Sequence, residues 1–278
     1  MELLRPSSLE TLTVPGDSLF LAGGTELVPL LRDRLVAGDT LVEVRDVVPR
    51  GIQGTRIGAG ATLAELEVDP QIPAALREAC RLAASPQIRA MGTIGGNLLQ
   101  ATRCWYWRLD FPCWLHGGDV CHAKAGEHRE HAILGNERCA SAHPSDPAAA
   151  LVALGATLRT NQRELPVEEL YRLPTDDDRD VTSLAPGELI LDLDVPEPEA
   201  SVYLKAMERK RFSFPIVGVA AARTATGTRF ALSGVAPIPW RLDSPDDLDR
   251  ATPLPQTAYK VEIARALLRR AMDALAAA

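Results

Sequence analysis

The sequence Met91-Gly92-Thr93-Ile94-Gly95-Gly96-Asn97 lies near the start of the stretch, 88–158, around which the rest of the chain is organised. The stretch closes with His143-Pro144-Ser145-Asp146 and an apolar run over 148–158. Between these ends lie four of the five cysteines: Cys104, Cys113, Cys121 and Cys139. We therefore expect the two ends to form one site and the cysteine-bearing middle to be an inserted loop.

The spacing of these four cysteines bears on their chemistry. Gaps of eight, seven and seventeen residues separate them, so the CxxC pairs of a zinc ribbon are absent. Long gaps suit a loop around a larger object, such as an iron–sulfur cubane held by four thiolates. By spacing alone, a cluster competes evenly with zinc or with uncoordinated thiols. Cys80 stands apart in a predicted helix and is expected to be a core cysteine.

Other residues that could bind a metal have simpler explanations. All five histidines lie in or beside the cysteine loop, at positions 116, 122, 128, 131 and 143. We expect surface or supporting roles for them, because four cysteines are already present and no HxxxH or HExxH pattern occurs. The acidic run from Asp176 to Asp180 is expected to be a solvated loop.

Three glycine turns stand beside apolar strands and threonines: Gly23-Gly24 with Thr25, Gly58 and Gly60 with Thr62, and Gly95-Gly96 with Thr93. Each alone is commonly only a turn, but together they indicate a backbone-lined groove for a phosphate-bearing cofactor. The first turn leads into a predicted helix over 27–35 with Thr25 as its N-cap. It lacks the GxGxxG pattern, so the Rossmann interpretation is weak. Thr62 and Glu65 fit a capping box.

Hydrophobic periodicity divides the chain into two regions. Strands are predicted over 19–22, 41–44, 56–58, 156–159, 188–195, 203–207, 216–223 and 229–235. Helices are predicted over 73–84, 147–154, 166–171 and 259–275. The prolines at 196 and 198 suggest a boundary, after which strands followed by one helix indicate a small α+β domain.

The composition excludes some functions. The chain of 278 residues is 46% hydrophobic and 24% charged, which is typical of a globular protein. Its net charge of −7 argues against a nucleic-acid binder, which needs a basic surface. We see no signal peptide or membrane-spanning stretch, so no membrane insertion and a cytoplasmic location are expected, with export as a passenger of a partner left open.

The chain resembles the FAD-binding subunit of the molybdenum hydroxylases, a family that includes xanthine dehydrogenase, carbon monoxide dehydrogenase and aldehyde oxidoreductase. The matching segments, in order, are 21–27, 57–62, 92–98, 144–146, 148–157, Lys205 with 209–219, and 234–240. The resemblance implies an α+β fold. A two-part FAD-binding domain of the vanillyl-alcohol-oxidase-like type would span 1–197, with an iron–sulfur insertion at about 100–142. A small domain of antiparallel strands plus a helix would span 198–278.

The same resemblance implies the site residues, none of them catalytic. FAD contacts are implied at Ala22, Gly23, Gly24, Thr25, Glu26, Thr62, Thr93, Gly95, Gly96, Asn97, Asp146, Ile190 and Lys205. The turn at 22–26 would hold the pyrophosphate, and the segment 93–97 would hold phosphate and ribityl groups. Asp146 would reach the ribityl or flavin region, Ile190 would pack on the isoalloxazine, and Lys205 would lie near it.

The cysteine loop is where the chain departs from xanthine dehydrogenase-like members, in which the Gly-Gly-Asn and Ser-Asp motifs are only a few residues apart. The insertion is similar to that of 4-hydroxybenzoyl-CoA reductase and of periplasmic-type aldehyde oxidoreductase. Its segment 121–139 looks more like the aldehyde oxidoreductase version. The resemblance thus implies a [4Fe-4S] cluster held by Cys104, Cys113, Cys121 and Cys139.

The implied function is electron transfer within a complex. A large subunit with a molybdopterin cofactor would oxidise an aldehyde, a purine or an N-heterocycle, and a small subunit with two [2Fe-2S] clusters would pass electrons to FAD here and on to an acceptor. One alternative is a reductase that takes electrons from ferredoxin through the [4Fe-4S] cluster. A second is a redox-inactive assembly subunit with structural zinc. A third, an oxidase of the vanillyl-alcohol oxidase type, would need a longer chain.

Overall fold

The computed structural model describes all 278 residues, which form three sheets and eight α-helices. The strands are β1 (Glu2–Leu4), β2 (Ser18–Leu21), β3 (Thr40–Glu43), β4 (Ile52–Gln53), β5 (Arg56–Gly58), β6 (Thr157–Thr160), β7 (Glu164–Pro166), β8 (Ile190–Asp194), β9 (Ala200–Ala206), β10 (Val217–Thr224), β11 (Gly227–Ser233) and β12 (Trp240–Leu242). The α-helices are α1 (Leu27–Arg32), α2 (Leu63–Leu66), α3 (Ala74–Leu82), α4 (Pro86–Met91), α5 (Ile94–Leu98), α6 (Trp105–Arg108), α7 (Asp146–Leu154) and α8 (Tyr259–Ala276). Short 3-10 helices cover Trp114–His116, His122–Lys124, Val167–Leu170 and Pro245–Arg250.

The first sheet is parallel, in the order β1-β3-β2, and α1 connects β2 to β3. The predicted strand–turn–helix at its start is confirmed, but α1 ends at Arg32, earlier than predicted. The prediction of Thr25 as N-cap is wrong: Glu26 occupies the cap position, and no side chain caps the helix. The carboxylate of Glu26 accepts hydrogen bonds from other segments instead, as described below.

The second sheet is antiparallel, in the order β4-β5-β8-β6-β7. Strand β8 lies within the strand predicted over 188–195. Leu191 and Leu193 are buried on one face, and Asp192 on the other face is also buried. It is accommodated because Arg159 on the neighbouring strand forms an ion pair with its carboxylate. Both faces of this strand are therefore covered.

Several of the short helices between these sheets begin at residues whose side chains cap them. The predicted capping box is present, with Thr62 and Glu65 bonding reciprocally at the start of α2. Pro86 lies past the end of α3 as predicted, but it also begins α4, which was not predicted, with Ser85 as its N-cap. The Gly95-Gly96 segment, expected to be a turn, lies in the short helix α5, which Thr93 caps.

Helix α7 is the centre of the main core. All nine of its residues are buried, and Gly155 ends it in the left-handed conformation, with φ +71°. It contacts α3, α5, β10 and β11, which come from both halves of the chain. The main core cluster of 39 buried residues accordingly includes Tyr203, Ala220 and Ala231 beyond the predicted boundary at 197/198. The division into domains stays a prediction.

The third sheet is antiparallel, in the order β12-β11-β10-β9, and α8 packs on β9 and β10. This confirms the predicted strands followed by a helix, and with them the α+β class. A second core cluster of 16 buried residues joins this sheet to α8 and includes Ile133 and Leu134 from the cysteine loop. None of the helices has the length and apolar character needed to cross a membrane.

A buried lysine fastens the cysteine loop to this last sheet. The ammonium of Lys260, in the first turn of α8, donates to the carbonyl oxygens of Glu130 at 2.7 Å and Gly234 at 2.9 Å. Its side chain is fully buried, and this burial lowers the pKa of Lys260 from 10.5 to about 7. A neutral amine still has two N–H donors for the two carbonyls.

We expect Lys260 to make stability depend on pH. Between about pH 7 and pH 10.5 the unfolded chain holds a proton that the folded chain has released, so this group raises the free energy of unfolding with pH, by up to about 1.4 kcal/mol per unit. Urea unfolding of the wild type and of Lys260→Met measures this. The free energy of unfolding of the wild type minus that of Lys260→Met should increase from about pH 7 to pH 10.5. A difference that does not depend on pH would contradict the prediction.

Candidate functional site

A groove runs past the two glycine-rich segments at 22–26 and 92–97. It consists of two cavities of about 210 and 360 Å³, which we call the first and second lobes. The lobes share a wall formed by Phe20, Ala22, Gly23, Thr93, Gly96 and Leu99, so they adjoin each other. Together they have the dimensions of a site for a small organic molecule or cofactor.

The groove collects most of the residues that the sequence assigned to FAD. Eleven of the thirteen line it: Ala22, Gly23, Gly24, Thr25, Glu26, Thr62, Thr93, Gly95, Gly96, Asn97 and Ile190. Thr62, Gly95 and Ile190 face the first lobe only, and the segment 24–26 faces the second. Asp146 and Lys205 line neither lobe. The contacts of all thirteen with FAD stay predictions.

Two glycines allow the first turn to form against the second segment. A Cβ atom on Gly23 would lie 1.9 Å from the carbonyl oxygen of Met91, so only glycine permits this approach of backbone to backbone. Gly24 has φ +71°, a conformation that L side chains rarely adopt. The wall shared by the two lobes therefore depends on the missing side chains at 23 and 24.

Two threonines of the groove, Thr62 and Thr93, act first as helix caps. The hydroxyl of Thr62 accepts from the amide of Glu65 at 3.2 Å, and the hydroxyl of Thr93 accepts from the amide of Gly96 at 3.2 Å. Capping fixes the start of α2 and of α5 at the edge of the groove. The starts of these two helices, with their backbone N–H groups, thus lie at the groove, which suits a phosphate-bearing molecule.

Glu26 ties the first turn to the cysteine loop. Its carboxylate accepts from the guanidinium of Arg103 at 2.7 Å, from the amide of Ala101 at 3.2 Å, and from Arg108. Burial lowers the pKa of Arg103, whose guanidinium also lies 4.6 Å from the ring centre of Phe214. The residue implied for FAD therefore also anchors the start of the loop that carries Cys104.

Asp146 and Lys205 form a separate buried centre. The Lys205 ammonium donates to the Asp146 carboxylate at 2.6 Å and to the carbonyl oxygen of Leu82 at 3.0 Å. The Tyr203 hydroxyl also donates to Asp146, and burial raises the pKa of Tyr203 well above its usual value. The side chains of the ion pair are 0% and 3% exposed, so the pair joins α7 to β9 away from water.

Replacing Lys205 with methionine should destabilise the protein strongly. The change leaves the Asp146 carboxylate buried without its cation, a loss of about 3–5 kcal/mol in the free energy of unfolding. Denaturant unfolding followed by circular dichroism measures this. The double variant Asp146→Asn with Lys205→Met removes both charges and should recover part of the loss. A single variant as stable as the wild type would show that the pair does not support the fold.

The four cysteines of the loop line one cavity. The walls of this narrow cavity, about 10 Å³ in volume, include Cys104, Cys113, Cys121 and Cys139 together with aromatic side chains such as Tyr106, Trp107 and Trp114. All four are free thiols, and Cys113 and Cys139 are buried. No group of three or more His, Cys, Asp or Glu side chains has an arrangement that could hold a metal ion. The structure thus brings together four thiols that are up to 35 positions apart in the sequence.

The thiols differ in acidity. Burial raises the pKa of Cys104 to about 11. The interaction between the thiols of Cys121 and Cys139 lowers the pKa of Cys121 and raises that of Cys139. Burial also raises the pKa of Cys80, which is fully buried in the main core as predicted. The fifth cysteine is therefore a packing residue.

The structure partly corrects the expectation for the histidines. His128, His131 and His143 are buried rather than on the surface. The Nε2 atom of His131 lies 3.2 Å from the sulfur of Cys104, and burial lowers the pKa of this imidazole to about 4. The acidic segment around Asp177 is exposed, as predicted.

Sequence reasoning missed part of the groove wall. Met91 and Leu99 flank the recognised glycine segment, and Arg103 and Phe214 close the second lobe. Arg103 immediately precedes Cys104, and Phe214 lies within the family-like segment 209–219, so both stood beside recognised motifs. Their place in the wall depends on the cation–π contact between them, which joins positions 111 residues apart.

Comparison with known proteins gives a consistent result. The family model for the FAD binding domain in molybdopterin dehydrogenase matches residues 1–198. The FAD-binding subunit PaoB of the aldehyde oxidoreductase of Escherichia coli (strain K12) is 34% identical over 259 residues, covering 86% of this chain and 81% of that protein. The carbon monoxide dehydrogenase medium chain of Afipia carboxidovorans is 40% identical over 89 residues, covering 29% of this chain and 31% of that protein.

Solved structures match the fold along almost the whole chain. The reconstituted CO dehydrogenase from Oligotropha carboxidovorans superimposes with a TM-score of 0.71 at 24% identity, covering 99% of this chain and 97% of that one. Quinoline 2-oxidoreductase from Pseudomonas putida 86 gives a TM-score of 0.69 at 19% identity with the same coverage. At these identities the likeness concerns the fold.

Proposed function

The chain belongs to the family of FAD-binding domains in molybdopterin dehydrogenases, and we propose that it is the FAD-containing electron-transfer subunit of a molybdenum-dependent oxidoreductase with its own [4Fe-4S] cluster. The role as the FAD-containing subunit is supported by the match of residues 1–198 to the family. It is also supported by a groove lined by eleven of the thirteen implied FAD residues. FAD supplies the exchange between one-electron and two-electron carriers.

The residues of the groove bind and orient FAD. The backbone of the turn at 22–26 holds the pyrophosphate, since Gly23 and Gly24 leave their amides accessible. The segment 93–97 holds the phosphate and ribityl groups, and Ile190 packs on the isoalloxazine. Asp146 and Lys205 act from behind the groove by fixing α7 to β9. In this proposal the FAD-binding part comprises 1–197, and the last sheet with α8 forms the C-terminal domain 198–278.

In this proposal the four cysteines of the cavity would hold the [4Fe-4S] cluster after their side chains rearrange around it. Four cysteine thiolates are the ligand set of such clusters, and the four that the loop supplies all face one cavity. The aromatic side chains around them limit access of water, which is one factor that sets a cluster's potential. Glu26 holds the start of this loop and borders the second lobe, so cluster and flavin share one support.

The partners follow from the family. A molybdenum-cofactor large subunit oxidises the substrate, and a small subunit with [2Fe-2S] clusters passes the electrons to this chain. The similarity to PaoB over 86% of the chain supports an aldehyde as substrate and the oxidative direction. The substrate binds the large subunit, so no substrate pocket is assigned to this chain.

The test is an absorbance spectrum of the full chain purified with its co-expressed partners, with flavin, iron and zinc assayed on the same sample. We expect one FAD per chain and about four irons beyond those of a two-cluster partner. Flavin with zinc in place of the extra iron would refute the cluster and make the cysteine loop structural. A preparation with neither flavin nor iron would refute the electron-transfer function.

A further inference from the structure

A buried histidine contacts one of the four cysteines directly. The Nε2 atom of His131 lies 3.2 Å from the sulfur of Cys104, and the imidazole is only 2% exposed. The ring of Trp105 meets it edge to face, with 4.6 Å between ring centres. The imidazole is thus held by packing on one side and directed at a sulfur on the other.

The other ring nitrogen shows which atom carries the proton. Nδ1 of His131 is buried and has no hydrogen-bond partner in the protein. A neutral imidazole has one N–H, and buried N–H groups without an acceptor are rarer than buried acceptors without a donor. We therefore assign the proton to Nε2, where the sulfur of Cys104 can accept it once iron binding has ionised this thiol.

We propose that His131 is a positioning residue that donates a hydrogen bond from Nε2 to the Cys104 thiolate and thereby raises the reduction potential of the [4Fe-4S] cluster. This inference rests on the proposed function, because it requires the cluster. A hydrogen bond from Nε2 would be stronger to a sulfur that carries more negative charge, as the cysteine sulfurs of a reduced cluster would. The bond therefore stabilises the reduced form more than the oxidised form.

The hydrogen bond from His131 goes to one particular cysteine of the four, Cys104. Cys104 lines the cysteine cavity and also a larger open cavity of about 310 Å³, which His131 and Arg103 line as well. Arg103 in turn borders the second lobe of the groove. Cys104 is thus the ligand between the cluster and the flavin side of the chain, and His131 is the side chain that bonds to it.

The test is an EPR-monitored redox titration of the full chain, as wild type, His131→Leu and His131→Gln. His131→Leu removes the donor and should lower the ratio of reduced to oxidised cluster at a fixed potential by about tenfold, which is 59 mV for a one-electron couple. Glutamine can place an amide N–H near the position of Nε2, so His131→Gln should restore most of the potential. As a control, His143→Leu removes another buried imidazole of the open cavity that bonds no cysteine, and it should leave the potential unchanged.

The outcomes separate this inference from the proposed function. A wild-type protein without cluster iron and without a cluster EPR signal refutes the cluster itself. A wild-type cluster whose potential is the same in His131→Leu refutes only the role of His131. If His131→Leu and His143→Leu lower the potential equally, the effect is general loosening of the loop, which also overturns the inference.

Discussion

Gly23→Ala is expected to weaken FAD binding strongly. The new Cβ would lie 1.9 Å from the carbonyl oxygen of Met91. Because that oxygen is a backbone atom and cannot rotate away as a side chain could, the turn at 22–26 must move away from the segment at 91–97. Overpacking of this kind costs about 1–3 kcal/mol in stability. The same movement opens the wall shared by the two lobes, and a loss of that size in binding weakens FAD affinity by about tenfold to a hundredfold.

Flavin content after gel filtration and the melting temperature measure the two effects of Gly23→Ala. Gly16→Ala is the matched control, because no atom lies within 4 Å of its Cβ position and the groove does not include it. It should keep FAD and stability. Full flavin content in Gly23→Ala would show that FAD does not depend on this turn. Gly24→Val should also lose FAD, through its φ of +71° rather than through a clash with Met91.

Cys113→Ser is expected to lose the cluster while keeping part of the FAD. Cys113 is buried in the wall of the cysteine cavity, and a serine oxygen is a poor replacement for the thiolate that an iron–sulfur cluster requires. The flavin groove has no wall residue in common with this cavity, so FAD is retained at least in part. About four irons per chain should disappear together with their visible absorbance.

Cys80→Ser provides the comparison for Cys113→Ser. Cys80 is the fifth cysteine, fully buried in the main core and outside the cysteine cavity. Its replacement lowers stability by burying a hydroxyl but should leave the iron content unchanged. Iron and flavin assays on both variants decide the assignment. Equal iron in Cys113→Ser and the wild type would remove Cys113 from the ligand set.

Local sequence patterns determined the elements that depend on local chemistry. The capping box of Thr62 and Glu65, the break at Gly155 and the buried position of Cys80 are all confirmed. The glycine segments also had a readable meaning, because absent side chains mark places where backbones approach. The order of these segments indicated the family, and membership of the family implied the fold.

Local patterns gave less information where packing overrides propensity. Gly95-Gly96 are poor helix formers, yet they lie in α5 because Thr93 caps it and Ile94 and Leu98 are buried. Threonine is a residue type that often caps helices, but Glu26 and not Thr25 lies at the N-cap position of α1. The hydrophobic period gave no sign of α4, a single short helix between two turns.

The sequence by itself determined the class of fold, the family and the residue types available to a flavin and to a cluster. Only the tertiary structure decided which groups meet: Glu26 with Arg103, Lys205 with Asp146, and His131 with Cys104. The physical reason is that each pair is made between segments 27 to 77 residues apart. A charge or an imidazole in the sequence looks the same whether it faces water or a buried partner, and burial alone gives these contacts their strength.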